Sequence, residues 1–478
     1  MKNIFTYMAI FLVIAACSGK KSADKTQTIS TKPNIIFILA DDLGYGDLGC
    51  YGQTKIQTPN IDALAKEGVR FTRHYSGSTV CAPSRCVLMT GLHTGHSYIR
   101  GNQEHQPEGQ APIPANTLTM AEILKQNGYT TGAFGKWGLG YPRSEGDPNN
   151  QGFDEFYGYN CQRIGHNYYP YHLWHNQDSI VLEGNEGKGK AQYAPELINR
   201  QAVKFIEDNK DKPFFLYYPT IIPHAELFAP EKNTAKYRGK LDPEKNFKGV
   251  DDGPRFKNGG YGSQAECHAA FAGMVDCFDE YVGNIVKKLD ELGLRENTII
   301  FVTSDTGAHL EGGADPDYFN STGGLRGYKR DLFEGGIRTP MIVNCPAKFK
   351  AATSKHISAF WDILPTVADM TSTKLAAQTD GISFLPMLEG QSEQKEHDYL
   401  YWEFPVFGGR IAVLNGNMKY IKYDATDKEK VKEMLFDLSK DEGEQNDIAK
   451  DNPEIMQKMR EMAKNAHSNS EMFPLLNR

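Results

Sequence analysis

Two apolar runs that end in carboxylates are the first places where this sequence could do chemistry. Asn34-Ile-Ile-Phe-Ile-Leu-Ala40 passes straight into Asp41-Asp42, and Thr298-Ile-Ile-Phe-Val-Thr303 passes into Ser304-Asp305. Unbroken runs rich in β-branched residues predict strands buried on both faces of a parallel sheet. In open α/β sheets, ligands gather beyond the carboxyl ends of the strands. Asp41, Asp42 and Asp305 would meet there and repel one another unless a cation sat among them. An all-oxygen set suits Ca²⁺ or Mg²⁺ rather than zinc or copper. The alternative is that Asp41-Asp42 opens a turn and Asp305 caps a helix. Spacing alone does not separate the two.

The elements that must position these acids can be read from periodicity. Helices are predicted at 59–67, 116–127, 194–209 and 263–292, with further strands at 130–134 and 213–218. Strands alternating with long helices imply a mostly parallel sheet covered on both sides. After a helix at 360–370 the texture changes to short strands at 399–403, 410–414 and 418–423, then a helix at 453–466. That pattern suggests a small antiparallel sheet with one terminal helix. The stretches 140–175 and 232–262 have weak periodicity, and loops of such length usually bind something or lack order. The 478 residues carry 53 Lys+Arg against 60 Asp+Glu, with pI near 6.0. This mild acidity excludes a typical nucleic-acid binder, and eight cysteines are too few for a disulfide scaffold.

The segment Cys81-Ala-Pro-Ser-Arg85, followed by Cys86-Val-Leu-Met-Thr-Gly91, decides between the readings of the acids. It resembles the signature of the type I sulfatases, in which the first cysteine is converted to formylglycine (3-oxoalanine). Asn34–Asp47, Gly135-Lys136-Trp137, Pro223-His224, Thr303–Gly307 and Gly327–Pro340 follow the order of the same family. Six ordered boxes are specific where one would be weak. The resemblance implies an alkaline-phosphatase-like α/β/α sandwich with a small C-terminal α+β subdomain. It also implies hydrolysis of a sulfate ester by nucleophilic catalysis in two steps, with one hydroxyl of the aldehyde hydrate attacking sulfur and the other expelling sulfate. By the same resemblance, Asp41, Asp42, Asp305 and the modified residue 81 hold the cation. Arg85 orients the hydrate. Lys136, His224 and Lys329 neutralise the sulfate oxygens, and His224 protonates the leaving oxygen. Asp47 is read as a turn residue.

Two departures from the family pattern stand out. The asparagine that usually follows the third acid is Thr306, a weaker ligand. The usual Lys-x-His is Lys136-Trp137-Gly138, so His166 is the candidate to supply an imidazole from another loop. The Gly158–Arg163 stretch and Gly-Lys-Trp-Gly-Leu-Gly resemble subfamilies acting on sulfated galactose-type sugars. Arg100 and Asn102, with His96 beside them, are candidate sugar contacts, whereas His93 reads as helix surface. Asp315 is a further candidate, or part of a turn at Pro316.

At the N-terminus, Met1-Lys2-Asn3 and the apolar run 4–16, broken only by Thr6, form a secretory signal too short for a stable membrane helix. Ile14-Ala-Ala-Cys17 resembles the lipobox of bacterial lipoproteins, which implies cleavage before Cys17, its lipidation and anchoring to the outer membrane. The expected organisation is a signal at 1–16, a polar tether at 17–32, a catalytic domain at 33–371 and a C-terminal subdomain at 372–478. The expected partners are a sulfated glycan, probed exo-fashion at galactose or N-acetylgalactosamine sulfate, and a maturase that makes the formylglycine. The competing readings are a phosphoesterase or phosphonate hydrolase of the same superfamily, and a non-catalytic receptor for sulfated glycans.

Overall fold

The computed structural model describes residues 32–376 and 378–475. The signal segment, Cys17 and the tether up to residue 31 lie outside the described residues. Eleven strands form the central sheet: β1 (Asn34–Ala40), β2 (Val69–Tyr75), β3 (Thr130–Lys136), β4 (Glu155–Tyr159), β5 (His172–His175), β6 (Asp178–Val181), β7 (Phe214–Pro219), β8 (Thr298–Ser304), β9 (Arg338–Asn344), β10 (Ala352–Ser354) and β11 (Ser358–Ala359). Their order is β10-β2-β9-β8-β1-β7-β3-β4-β5-β6, with β11 also on β2. The five strands β8, β1, β7, β3 and β4 are parallel, so their carboxyl ends share one edge. Strand β9 runs against both β8 and β2. The end of β2 and the start of β9 therefore reach that same edge.

Burial on both faces follows from alternation along β1. Ile35, Phe37 and Leu39 enter one core, and Ile36, Ile38 and Ala40 enter the other. Helices Cys81–Thr90, Met120–Gln126 and Ile363–Met370 contribute to the first core, and Ala194–Asp208 and Cys267–Glu291 to the second. Phe37 stacks on Phe301 of β8 at 5.5 Å. Cutting it to alanine would cost about 3–5 kcal/mol through lost transfer energy and the cavity left behind.

Several predicted boundaries shift for local reasons. The helix expected at 116–127 starts at Met120, because Thr119 and Glu122 form a capping box there. The one expected from 263 starts at Cys267, because Gln264 pairs with Phe247 and Ser263 bonds Asp251. The stretch 140–175 is not merely a loop, since β4 and β5 fall within it. Strands β2 and β9 were not anticipated. β2 carries Arg70, Thr72 and Arg73 on a half-buried surface, which hides it from a search for apolar runs.

Beyond the main sheet lies an antiparallel meander of β12 (Leu400–Phe404), β13 (Arg410–Asn415), β14 (Met418–Tyr423) and the unanticipated β15 (Lys432–Asp437). One face, with Trp402, Leu414, Ile421 and Phe436, joins the first core of the main sheet. The other, with Tyr401, Val413, Tyr420 and Leu435, lies under Met456 and Met459 of helix Pro453–Ala466. Each face is buried against a different partner, so the subdomain packs as a layer on the main body.

Candidate active site

The shared strand edge gathers the chemical groups. Asp41 and Asp42 follow β1, Asp305 follows β8, Lys136 ends β3, His224 lies beyond β7, and Lys329 precedes β9. Cys81 is the first residue of the helix that follows β2. Asp42 has φ of +63°, a left-handed conformation that aspartate tolerates better than most residues. Its N–H donates to Asp305 Oδ1 at 3.1 Å, which ties the ends of β1 and β8 together.

Acids and bases interleave at this edge. Cys81 Sγ lies 3.4 Å from Asp41 Oδ1. Arg85, one helical turn on, donates from Nε (3.1 Å) and Nη2 (2.8 Å) to Asp305 Oδ2 and from Nη1 to the Lys136 carbonyl. Lys136 pairs with Asp41. Lys329 Nζ lies 2.7 Å from Asp42 Oδ2 and donates to His224 Nε2 at 2.9 Å. Because His224 accepts there, its Nδ1–H donates to the Ala225 carbonyl, which defines a neutral tautomer. Burial, and then Lys329, holds His224 well below the usual histidine range. Burial would lower Lys329, yet the Asp42 carboxylate outweighs it and keeps the ammonium charged. Burial and the adjacent Asp41 push the Cys81 thiol upward. As a plain cysteine it is a neutral thiol, a poor nucleophile.

The donor set fits a hard divalent cation. Ligand atoms of Asp41, Asp42, Cys81 and His224 all lie within 4.8 Å of one another; Asp305 is outside that group and adjoins it by accepting from the Asp42 backbone N–H. Three carboxylates converging in a buried place are the oxygen-rich chemistry that Ca²⁺ or Mg²⁺ demands. Thr306 does not present itself as a ligand. Its hydroxyl lies 2.8 Å from Asp42 Oδ1 and 3.0 Å from the Gly307 carbonyl, so it secures a carboxylate. Three acids face three bases, Arg85, Lys136 and Lys329. A divalent cation would leave the cluster with an excess of positive charge toward an anion.

A cavity of about 400 Å³ opens onto Cys81, His224 and Lys329, with Asn102, Gln162 and His166 also in its wall. Asn102 Oδ1 accepts from Ala82 N at 3.1 Å, next to Cys81. The His166 ring is stacked on His224 at 4.7 Å and 10°, and burial lowers its pKa to about 3. Two residues were missed in the sequence. His309 lies 5.6 Å from the His224 ring at 15°; its place four residues after Asp305 was the available signal. Gln162 is 4% exposed, and among the described residues neither atom of its amide has a hydrogen-bond partner. It also accounts for Gly138, where φ is +81° and a Cβ would fall 1.8 Å from Gln162 Nε2. The side chain absent from Lys136-Trp137-Gly138 is thus replaced in space by an amide from the next strand's end, with the His166 imidazole in the same cavity wall.

Other candidates fall elsewhere. Arg100 is buried and spends its guanidinium on Ser97, Glu403 (2.6 Å) and Ser468, joining the subdomain to the main body instead of reaching substrate. His96 bonds Asp380 at 2.9 Å in a separate cavity. His93 is not helix surface: it is buried beside Trp361 and Tyr401. Asp315 caps helix Pro316–Phe319, accepts from Tyr318 N and pairs with His268, so a helix cap stands where a turn at Pro316 was the alternative. Asp47 accepts from Gly44 N at 2.7 Å, as a turn residue does.

Comparison with known proteins adds to this geometry. A sulfatase family model matches residues 33–373, and one described as N-sulphoglucosamine sulphohydrolase, C-terminal, matches residues 326–470. An N-acetylgalactosamine-6-O-sulfatase of Bacteroides thetaiotaomicron is 29% identical, over 97% of this chain and 99% of that protein. An arylsulfatase of Hemicentrotus pulcherrimus is 33% identical, over 78% of this chain and 64% of its own length. Among solved structures, Ps i-CgsB is 29% identical and superposes with a TM-score of 0.75, over 91% of this chain and 93% of that one. A phosphonate monoester hydrolase of Agrobacterium radiobacter, 21% identical with a TM-score of 0.62, shares the fold.

Proposed function

We propose, for a chain that belongs to the sulfatase family and is a sulfuric ester hydrolase, that its substrate is a sulfate ester on a carbohydrate, attacked through formylglycine at position 81. The observation that carries the reading is the meeting of Cys81, three carboxylates and three cationic side chains at one strand edge. Sulfated galactose or N-acetylgalactosamine, released from a chain end, is the substrate we favour. The B. thetaiotaomicron relative, named for N-acetylgalactosamine 6-sulfate, supports that choice.

Each side chain has a derivable task. Asp41, Asp42 and Asp305 would hold the divalent cation, Ca²⁺ by preference and Mg²⁺ otherwise, with residue 81 beside them. When present, the cation lowers the pKa of a hydroxyl and screens anionic charge, and the aldehyde hydrate at 81 supplies that hydroxyl. Arg85, locked on Asp305, fixes the start of the helix and hence the position of residue 81. Lys136 and Lys329, both buried, would bind sulfate oxygens in a site of low dielectric, where such contacts are strongest. Neutral His224 accepts from Lys329 at Nε2 and holds no proton of its own there, so to protonate a leaving oxygen it would first take the proton of the Lys329 ammonium. His166 stacks behind the His224 ring, and Gln162 offers a free amide to the substrate. Water supplies the atoms of hydrolysis: the ester oxygen leaves as an alcohol and sulfate departs. The N-terminal signal and Cys17 support an exported lipoprotein tethered to the outer membrane.

The test is sulfate release from a panel of sulfated monosaccharides that differ in sugar and in sulfated carbon, using protein co-expressed with a formylglycine maturase. Release from a galactose-type sugar supports the reading. Release only from aryl esters, or cleavage of phosphate or phosphonate esters in place of sulfate, overturns it.

A further inference from the structure

We propose that a second cavity beside the catalytic one is a saccharide subsite that receives the sugar joined to the sulfated unit. The inference rests on the carbohydrate reading above and extends it. The two cavities share Arg163 and Asn258 as a common wall, and the second is the larger, at about 650 Å³ against about 400 Å³. Both fall within the ordinary span of small-ligand pockets.

The lining of the second cavity is aromatic. Tyr141, Tyr171, Trp174 and Phe256 contribute to it, and none of the four is fully buried. Aromatic rings lining a concavity suit the apolar CH face of a pyranose, while polar groups beside them, here Lys257 over Tyr171 and Phe256, set its orientation. These rings are held in place. Glu108 accepts from Trp174 Nε1 at 2.9 Å and bonds His172 Nε2 at 2.8 Å, one ring on each carboxylate oxygen. Tyr141 stacks on His105 at 4.1 Å and 6°.

The partition is built with equal care. Arg163 bonds Glu104, the Pro107 carbonyl (2.6 Å) and Asn258, so one guanidinium joins three loops. Gln162, the preceding residue, presents its unpartnered amide to the catalytic cavity. Adjacent residues of one loop thus serve the two cavities, and Arg163 sets the spacing between them. A sulfated sugar seated at Cys81 would direct its glycosidic neighbour across Arg163 onto the aromatic wall.

The experiment compares the monosaccharide of the panel that releases sulfate fastest with a disaccharide bearing the same sulfated sugar at its non-reducing end. Wild type should show a kcat/KM about tenfold higher for the disaccharide. Tyr171→Ala and, separately, Trp174→Ala should erase that preference, mainly through KM, while kcat/KM for the monosaccharide stays unchanged. Tyr171 is 40% exposed, so its truncation leaves folding intact even if Trp174→Ala does not. Equal kcat/KM for the two substrates in wild type, or equal losses on both in Tyr171→Ala, overturns the subsite and leaves the sulfatase reading standing. Failure to desulfate any panel sugar overturns the carbohydrate reading, and the subsite with it.

Discussion

At the joint between the central sheet and the C-terminal meander, Lys419 is sealed between Glu334 (2.8 Å) and Glu444 (3.0 Å), all three fully buried. Tyr75 and Arg338 bond the remaining Glu334 oxygen. At the carboxyl edge of the sheet, Asp41, Asp42 and Asp305 are equally buried among Arg85, Lys136 and Lys329. The joint faces protein on every side, whereas the edge faces a cavity lined by Cys81, His224 and Lys329. Buried ion pairs are weak contributors to net stability, but breaking one leaves an expensive uncompensated charge. The same physics therefore locks two layers together in one place and stores charge for a ligand in the other.

The comparison predicts that damage at the two clusters will separate into activity and stability. Cys81→Ala should lower turnover on the order of 10⁴-fold or more, since the proposed mechanism has no substitute for residue 81, with little change in melting temperature. Lys419→Met should do the reverse. Two carboxylates lose their counter-charge, which costs about 3–5 kcal/mol, so the denaturant midpoint falls while kcat of the folded enzyme is retained. If Lys419→Met abolished turnover without loss of stability, the division of labour would be wrong. Lys329→Ala should reduce kcat/KM by about 10²–10³-fold, as loss of one charge-stabilising donor does, measured by steady-state sulfate release.

The smallest expected effect is on pH dependence. Burial raises Glu444 from 4.5 to about 7, against the pull of Lys419, with Glu334 as a like-charged neighbour. The folded state then binds this proton more tightly than the unfolded chain does. Its contribution to stability is full below pH about 4.5 and fades as pH rises through about 7. Glu334 is shifted the other way, downward, by Lys419 and Arg338 despite its burial, so its contribution is lost only on further acidification. Melting temperature should decline between pH 5 and 7.5 in wild type by more than in Glu444→Gln, as followed by thermal scans across that window.

How much of this could be read beforehand differs by element. β1 and β8 announced themselves, because a strand buried on both faces has no choice but to be apolar throughout, and the acids after them followed. The cysteine box and the lysines were legible through ordered motifs. The reciprocity of Gly138 and Gln162 was not, since it joins two loops through a tight contact that neither segment displays alone. Arg100 was misread for a similar reason: its partners Glu403 and Ser468 lie more than 300 residues away. Asp315 has its capping partner three residues on, at Tyr318 N, yet Pro316 suggested a turn and not the helix that starts there.

The central claim is that residue 81 works as an aldehyde, not as a thiol. Mass spectrometry of the peptide containing residue 81, taken from protein of known specific activity, tests it most directly. The account predicts that activity rises in proportion to the fraction of that peptide carrying formylglycine. Full activity in protein whose peptide retains an unaltered cysteine would contradict it.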